Sequence, residues 1–275
     1  MAATAPGPRS SLPLRIPPSM PKIFCIANQK GGVGKTTTTV NLAAGLAQVG
    51  QRVLVIDLDP QGNATMGSGV DKRQLSHTVY DVLLETASIA EARQRSDKAG
   101  YDVLGANREL AGAEIELVEL ERRDRRLKTA IEAVAADYDF VLIDCPPSLS
   151  LLTLNGLTCA HGVIVPMQCE YFALEGLTDL VNTVKQVHAN LNRELQLIGL
   201  LRVMFDPRIT LQQQVSEQLK AHFGDKVFDT VIPRNVRLAE APSYGLPGVV
   251  FDKSSKGAQA FMEFAREMVA RVAAM

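Results

Sequence analysis

Short apolar runs alternate with amphipathic stretches along most of the chain. Residues 22–27, 52–58, 140–143, 163–166 and 197–203 are almost wholly apolar and rich in branched side chains. Val53, Leu54, Val55 and Ile56 form the centre of the second run. Uninterrupted runs of this length are the pattern of strands buried on both faces. Residues 35–49 place Leu42, Leu46 and Val49 on one helical stripe, and Gly50 follows as a stop. Helical patterns recur at 78–84, 109–136, 174–191, 211–223 and 257–274, with further extended pieces at 101–105 and 231–232. Strands alternating with helices predict an α/β fold: a doubly wound, mostly parallel sheet with helices on both faces. Neither a repeat nor an internal linker interrupts the alternation, so residues 21–275 read as a single domain.

Residues 1–20 stand apart. Pro6, Pro8, Pro13, Pro17 and Pro18 sit among small residues there, and no apolar stretch resembles a secretory signal. A disordered, proline-rich extension is expected. The composition changes at Met20, which makes Met20 an expected alternative to Met1 as the start of translation. With 275 residues and 46% hydrophobic content the remainder has enough apolar mass for a full core. The net charge of −1 excludes a global basic field, so any nucleic-acid binding must come from a local patch. Glu121-Arg122-Arg123-Asp124-Arg125-Arg126 mixes both signs and reads as a solvated helix face. Cys25, Cys145, Cys159 and Cys169 form no C-x-x-C pair, so reduced, buried thiols in a cytoplasmic protein are expected. No apolar run reaches the length of a membrane span.

Chemistry concentrates where the first strand meets the first helix. The chain reads Asn28-Gln29-Lys30-Gly31-Gly32-Val33-Gly34-Lys35-Thr36-Thr37-Thr38. A glycine-rich turn in this position presents backbone N–H groups to a phosphate chain, and the helix N-terminus adds its positive pole. Lys35 is placed to reach the β- and γ-phosphates and the Thr36 hydroxyl to ligate Mg²⁺. The pattern departs from the usual P-loop: Gln29 stands where a glycine is expected, and an extra lysine, Lys30, precedes Gly31-Gly32.

Two further strands end in carboxylates. Asp57 and Asp59 close the second run, in Asp57-Leu58-Asp59-Pro60-Gln61-Gly62, and Asp144 closes the run 139–144 before Cys145-Pro146-Pro147. Ligands of open parallel sheets lie at the carboxyl ends of strands, so all three belong beside the glycine loop. Asp144 has the Walker B arrangement, delivering a carboxylate to the Mg²⁺ shell, and an aspartate beside it can orient an attacking water. Aspartate before proline is also a common turn opener.

These segments resemble the ParA/Soj-type partition ATPases of the deviant-Walker group that includes MinD. The resemblance runs from about Pro21 to the C-terminus. It rests on Lys30 to Thr37, Asp57 to Thr65, Asp144-Cys145-Pro146-Pro147-Ser148, Gln168 to Gly176, and Val231-Ile232-Pro233-Arg234-Asn235-Val236-Arg237-Leu238. It implies that Gly31, Gly32, Val33, Gly34, Lys35, Thr36 and Thr37 bind ATP, and that Thr36, Asp57 and Asp144 serve Mg²⁺. It implies that Lys30 crosses a nucleotide-sandwich homodimer to the partner's phosphates and that Asp59 positions the attacking water. Pro233 and Asn235 resemble the segment bordering the adenine. Arg208 and Arg237 match positions that bind DNA without sequence preference, and Lys253 and Lys256 extend the strip. The implied protein is a slow, partner-stimulated ATP hydrolase. It acts on the nucleoid as an ATP-bound dimer, with a ParB-like centromere-binding partner, and drives segregation of chromosomal or plasmid DNA.

Three rivals share parts of this pattern. A MinD-like membrane ATPase needs a basic amphipathic C-terminal helix, whereas the apolar stripe Phe261, Met262, Phe264, Ala265, Met268, Val269 and Val272 is expected to pack on the core. An iron–sulfur ATPase needs paired cysteines, and Cys145 reads more simply as a small residue beside the Walker B strand. A sequence-specific repressor needs an N-terminal helix-turn-helix, for which residues 1–20 are too few.

Overall fold

The apolar runs become the inner strands of one eight-stranded sheet. A computed structural model describes residues 20–171 and 173–275; apart from Met20, the expected extension at 1–20 lies outside them. The strands are β1 Lys22–Ile26, β2 Val53–Asp57, β3 Gln94–Ser96, β4 Tyr101–Leu104, β5 Phe140–Asp144, β6 Gly162–Met167, β7 Gln196–Phe205 and β8 Val227–Pro233. Their order in space is β3-β4-β2-β5-β1-β6-β7-β8. Every pairing is parallel except β3 with β4, at one edge.

Twelve α-helices are found among the described residues. They are α1 Lys35–Gln48, α2 Asn63–Gly67, α3 Val79–Leu83, α4 Ile89–Ala92, α5 Leu110–Glu116, α6 Arg126–Glu132, α7 Leu151–Cys159, α8 Ala173–Asn190, α9 Thr210–Phe223, α10 Val236–Glu240, α11 Gly248–Phe251 and α12 Lys256–Ala273. Successive strand residues point to opposite faces, so the sheet divides two cores. Phe24, Ile26, Val53, Val55, Phe140 and Leu142 face the layer containing α1 and α12. Ile23, Cys25, Leu54, Ile56, Val141 and Ile143 face the other, which holds α7 and α8. The stripe expected to pack inward on the last helix does so: Phe261, Phe264, Ala265, Met268 and Val272 are buried. Contact with α1 is close, since a Cβ on Gly45 would come within 2.8 Å of the Ala265 methyl.

The expected helix over 109–136 is two short helices, α5 and α6, separated by turns. Arg122 adopts a left-handed φ of 52°, which no helix continues. Asn155 fixes the break from α7: its amide donates to the Arg123 carbonyl at 2.7 Å, and its Oδ1 accepts the Leu127 N–H at 3.2 Å. The charged run between the helices is solvated, as expected, but it is a turn rather than a helix face. The extended piece expected at 231–232 is the end of the longer β8, and α7 has no counterpart in the periodicity because it is apolar on nearly all sides.

Candidate active site

The sheet brings three strand ends to one place. β1, β5 and β2 are neighbours, and in their registers Ile26 pairs with Asp144 and Asp144 with Asp57. The loop from residue 27 to 34 therefore leaves the sheet directly beside both carboxylates. Gly32 and Gly34 have φ of 73° and 78°, a conformation that side chains rarely adopt. A Cβ on Gly31 or Gly32 would meet nothing within 4 Å, so this part of the loop lines open space. α1 begins at Lys35 with no side-chain cap and no acidic residue in its first turn. Its leading N–H groups and its positive pole are thus left for an anion.

Lys35 is 8% exposed, and its ammonium turns back to donate to the Lys30 carbonyl at 3.3 Å. Burial lowers its pKa, while Asp144, Asp59 and Cys145 oppose the shift. The Thr36 hydroxyl donates to Asp144 Oδ2 at 2.7 Å, and the Thr39 hydroxyl lies 3.1 Å from Oδ1. Asp144 is buried, and desolvation followed by repulsion from Asp57 pushes its carboxyl up. Two adjacent buried carboxyls beside a hydroxyl suit a divalent cation, which would offset their repulsion. Thr36 and Asp144 are the side chains that could hold Mg²⁺ here. No cluster of three or more His, Cys, Asp or Glu side chains suited to a metal occurs among the described residues.

Asp57 is held differently. Its Oδ2 accepts the Thr65 N–H at 2.9 Å and the Thr65 hydroxyl at 2.7 Å, and its Oδ1 accepts the Asp59 N–H at 3.1 Å. Thr65 also accepts the Ala106 N–H at 2.9 Å. Asp57 is therefore a buried anchor behind Asp144 that fixes α2 and the turn bearing Asp59. Asp59 is half-buried, accepts the Gln61 N–H at 2.9 Å, and acts electrostatically on both Lys35 and Asp144. It stands beside the phosphate loop, as its place in the sequence implied.

A cleft of about 150 Å³ opens at the start of α1, lined in part by Gly34, Thr37, Met204, Pro233 and Asn235. It holds the two residues expected to border the base. Thr38 contributes a buried hydroxyl with no hydrogen-bond partner among the described residues. Met204 was not foreseen: its φ of 51° accompanies a register shift in the β7–β8 pairing. Its thioether accepts from the Gln168 amide at 3.2 Å and lies under Gly34. Bulges of this kind re-aim a side chain beside an active site, and periodicity does not register them. A second cleft, of about 430 Å³, also reaches Thr36 and Thr37 and runs toward Asn63, Met66 and Ser243.

The predicted DNA contacts gather at the end of β7 and β8, where Phe205 pairs with Pro233. Arg208 is 88% exposed and binds Asp206 through two nitrogens, at 2.9 and 2.7 Å. Arg237 lies 2.9 Å from Glu240 and 3.4 Å from Asp252. Lys253 and Lys256 are exposed, with no ion pair among the described residues. A single copy thus presents both arginines already matched by carboxylates. All four cysteines are buried and free.

Comparison with known proteins bears on the same segments. A family model for an AAA domain matches residues 21–197. The chain is 52% identical over 251 residues to the sporulation initiation inhibitor protein Soj of Bacillus subtilis, covering 91% of this chain and 99% of that protein. It is 50% identical over 252 residues to the chromosome partitioning protein ParA of Caulobacter vibrioides, covering 91% and 94%. Among solved structures, one described as cobyrinic acid a,c-diamide synthase from Mycobacterium smegmatis, with bound ADP and magnesium, superposes with a TM-score of 0.80. Its identity is 40%, over 91% of this chain and 94% of that one. A putative plasmid partition protein from Borrelia burgdorferi, bound to AMPPNP, superposes with a TM-score of 0.77 at 25% identity, over 91% and 99%. Since its partitioning relatives align over nearly their whole lengths at about half identity, the chain belongs to the ParA/Soj family of chromosome-partitioning ATPases.

Proposed function

We propose that this chain is an ATP-driven dimerising switch that binds DNA without sequence preference and, with a ParB-like partner, drives DNA segregation. One observation carries the reading. The two loop lysines diverge: Lys35 turns back over its own loop, while the Lys30 ammonium lies outside it on Glu170. A cation so placed is available to a neighbour's phosphates rather than its own.

In this reading the N–H groups of residues 31–37 and the Lys35 ammonium hold the triphosphate of ATP, with the base in the cleft at Pro233 and Asn235. Thr36 and Asp144 hold Mg²⁺, with Asp57 fixed behind them. When bound, the ion supplies charge neutralisation on the β- and γ-phosphate oxygens. Lys30 of a second copy adds positive charge as the γ-phosphoryl leaves, much as an arginine finger does. Asp59 orients the water that attacks the γ-phosphorus. Hydrolysis is slow until the ParB-like partner accelerates it. ATP favours the dimer more than ADP does, so hydrolysis separates the copies.

Dimerisation duplicates Arg208, Arg237, Lys253 and Lys256 and doubles the number of phosphate contacts. The resulting affinity is salt-dependent and indifferent to sequence. The protein is then cytoplasmic and nucleoid-associated. The MinD-like alternative loses its main support, because the apolar stripe of α12 is spent on the core. Among the described residues no helix is long and apolar enough to cross a membrane.

Filter binding with duplex DNA tests the reading. Arg237→Glu is expected to weaken ATP-dependent binding about tenfold or more while dimerisation persists. Equal affinity for DNA with ATP and ADP, in the unmodified chain, would contradict the switch. Loss of dimerisation along with DNA binding would make Arg237 structural.

A further inference from the structure

Lys30 has a partner within its own chain. Its ammonium lies 2.5 Å from Glu170 Oε2, and the two side chains are 54% and 46% exposed. Both backbones are tied down. The Lys30 N–H donates to Asn28 Oδ1 at 2.9 Å, and Asn28 in turn donates to the Pro166 carbonyl at 2.9 Å. The Glu170 N–H donates to the Gln168 carbonyl at 2.9 Å, and the Glu170 carbonyl accepts the Ala173 N–H at 3.0 Å. The Gln168 amide reaches the Gly32 carbonyl at 3.2 Å. The turn after β6 is therefore laced to the glycine loop on both sides of the ion pair. That reduces the freedom two surface side chains must otherwise give up on pairing.

We propose that Glu170 is a positioning residue that holds Lys30 within its own subunit and competes with the partner's triphosphate for it, setting how readily ATP closes the dimer. The inference rests on the reading of Lys30 as a cation that serves the neighbouring copy. Carboxylate and phosphate offer an ammonium the same kind of acidic oxygen, so Lys30 satisfies one at the expense of the other. Closing a two-fold dimer breaks the pair in both protomers. Exposed ion pairs are weak, so the clamp tunes the equilibrium without blocking it. An effect of about threefold per pair becomes about tenfold in the dimer dissociation constant.

Sedimentation velocity of the full chain with Mg²⁺ and a non-hydrolysable ATP analogue reads this directly. Glu170→Gln is expected to tighten the dimer about tenfold and to leave the monomer's affinity for the analogue unchanged. Asp179→Asn, which removes one exposed charge from α8, the helix that follows Glu170, is expected to leave the dimer unchanged. An unaltered or weaker dimer in Glu170→Gln overturns the inference, and so does equal tightening in Asp179→Asn. Lys30→Ala separates the two levels. If it abolishes dimerisation, the reading of Lys30 stands whatever Glu170 does; if it dimerises like the unmodified chain, that reading falls and the clamp falls with it.

Discussion

In the proposed mechanism Asp59 is the residue that orients the attacking water. Two aspartates end β2, and their hydrogen bonds separate their roles. Both oxygens of Asp57 are taken by protein donors, from Thr65 and from the Asp59 backbone. The Asp59 side chain has one recorded hydrogen bond, from the Gln61 N–H, and is half-buried beside Lys35. It is therefore able to accept a hydrogen bond from water near the phosphate loop. Replacing it should leave the loop intact, because its carboxylate accepts no hydrogen bond from α1 among the described residues and acts there only as a charge near Lys35. Asp59→Ala is expected to lower turnover by about a hundredfold or more while ATP still binds, measured by phosphate release and by calorimetric titration. Unchanged turnover would remove its catalytic role.

Strands and long helices were legible because burial on both faces writes apolar runs into β1, β2, β5, β6 and β7, and because α8, α9 and α12 carry amphipathic periods. What failed was set by contacts distant in sequence. The helix expected over 109–136 breaks because Asn155 offers its amide to backbone groups of residues 123 and 127. The bulge at Met204 and the clamp at Glu170 leave no periodic trace. The carboxylates at strand ends were legible as a set, whereas the occupation of both Asp57 oxygens by Thr65 and the Asp59 backbone was not.

One element-level contact carries a pH dependence. His161 precedes β6, and its Nδ1 accepts the Ile23 N–H of β1 at 3.0 Å. Burial lowers its pKa, Lys22 and Lys128 add to the shift, and Glu194 opposes it. The unfolded chain therefore takes up a proton on this group at higher pH than the folded chain does. Stability from His161 is complete above the unfolded pKa of about 6.5 and is lost as pH falls below that value. A protonated Nδ1 also ceases to accept the Ile23 N–H. Melting curves from pH 7.5 to 5.5 are expected to fall more steeply for the unmodified chain than for His161→Asn. Parallel curves would show that the ring titrates alike in both states.

At the scale of the whole molecule the proposal makes the site half of a larger one. The sheet gathers the glycine loop, Thr36, Asp144 and Asp59 into one place, but the Lys30 ammonium faces outward onto Glu170. Arg208 and Arg237, the arginines proposed to meet DNA, are likewise matched within one copy by Asp206, Glu240 and Asp252. Each local ion pair is a weak surface contact that a phosphate can replace. Pairing two copies places the cations where their combined field exceeds that of either copy alone. In this proposal nucleotide, dimer and DNA are linked by differential affinity.

The most direct test is the mass of the full chain in solution by light scattering, at saturating Mg²⁺ and a non-hydrolysable ATP analogue. The expected result is twice the chain mass of 29.8 kDa with the analogue, a single chain mass with ADP, and a single chain mass for Lys30→Ala under both conditions. A single chain mass for the unmodified protein with the analogue bound would contradict the claim that Lys30 serves a second copy.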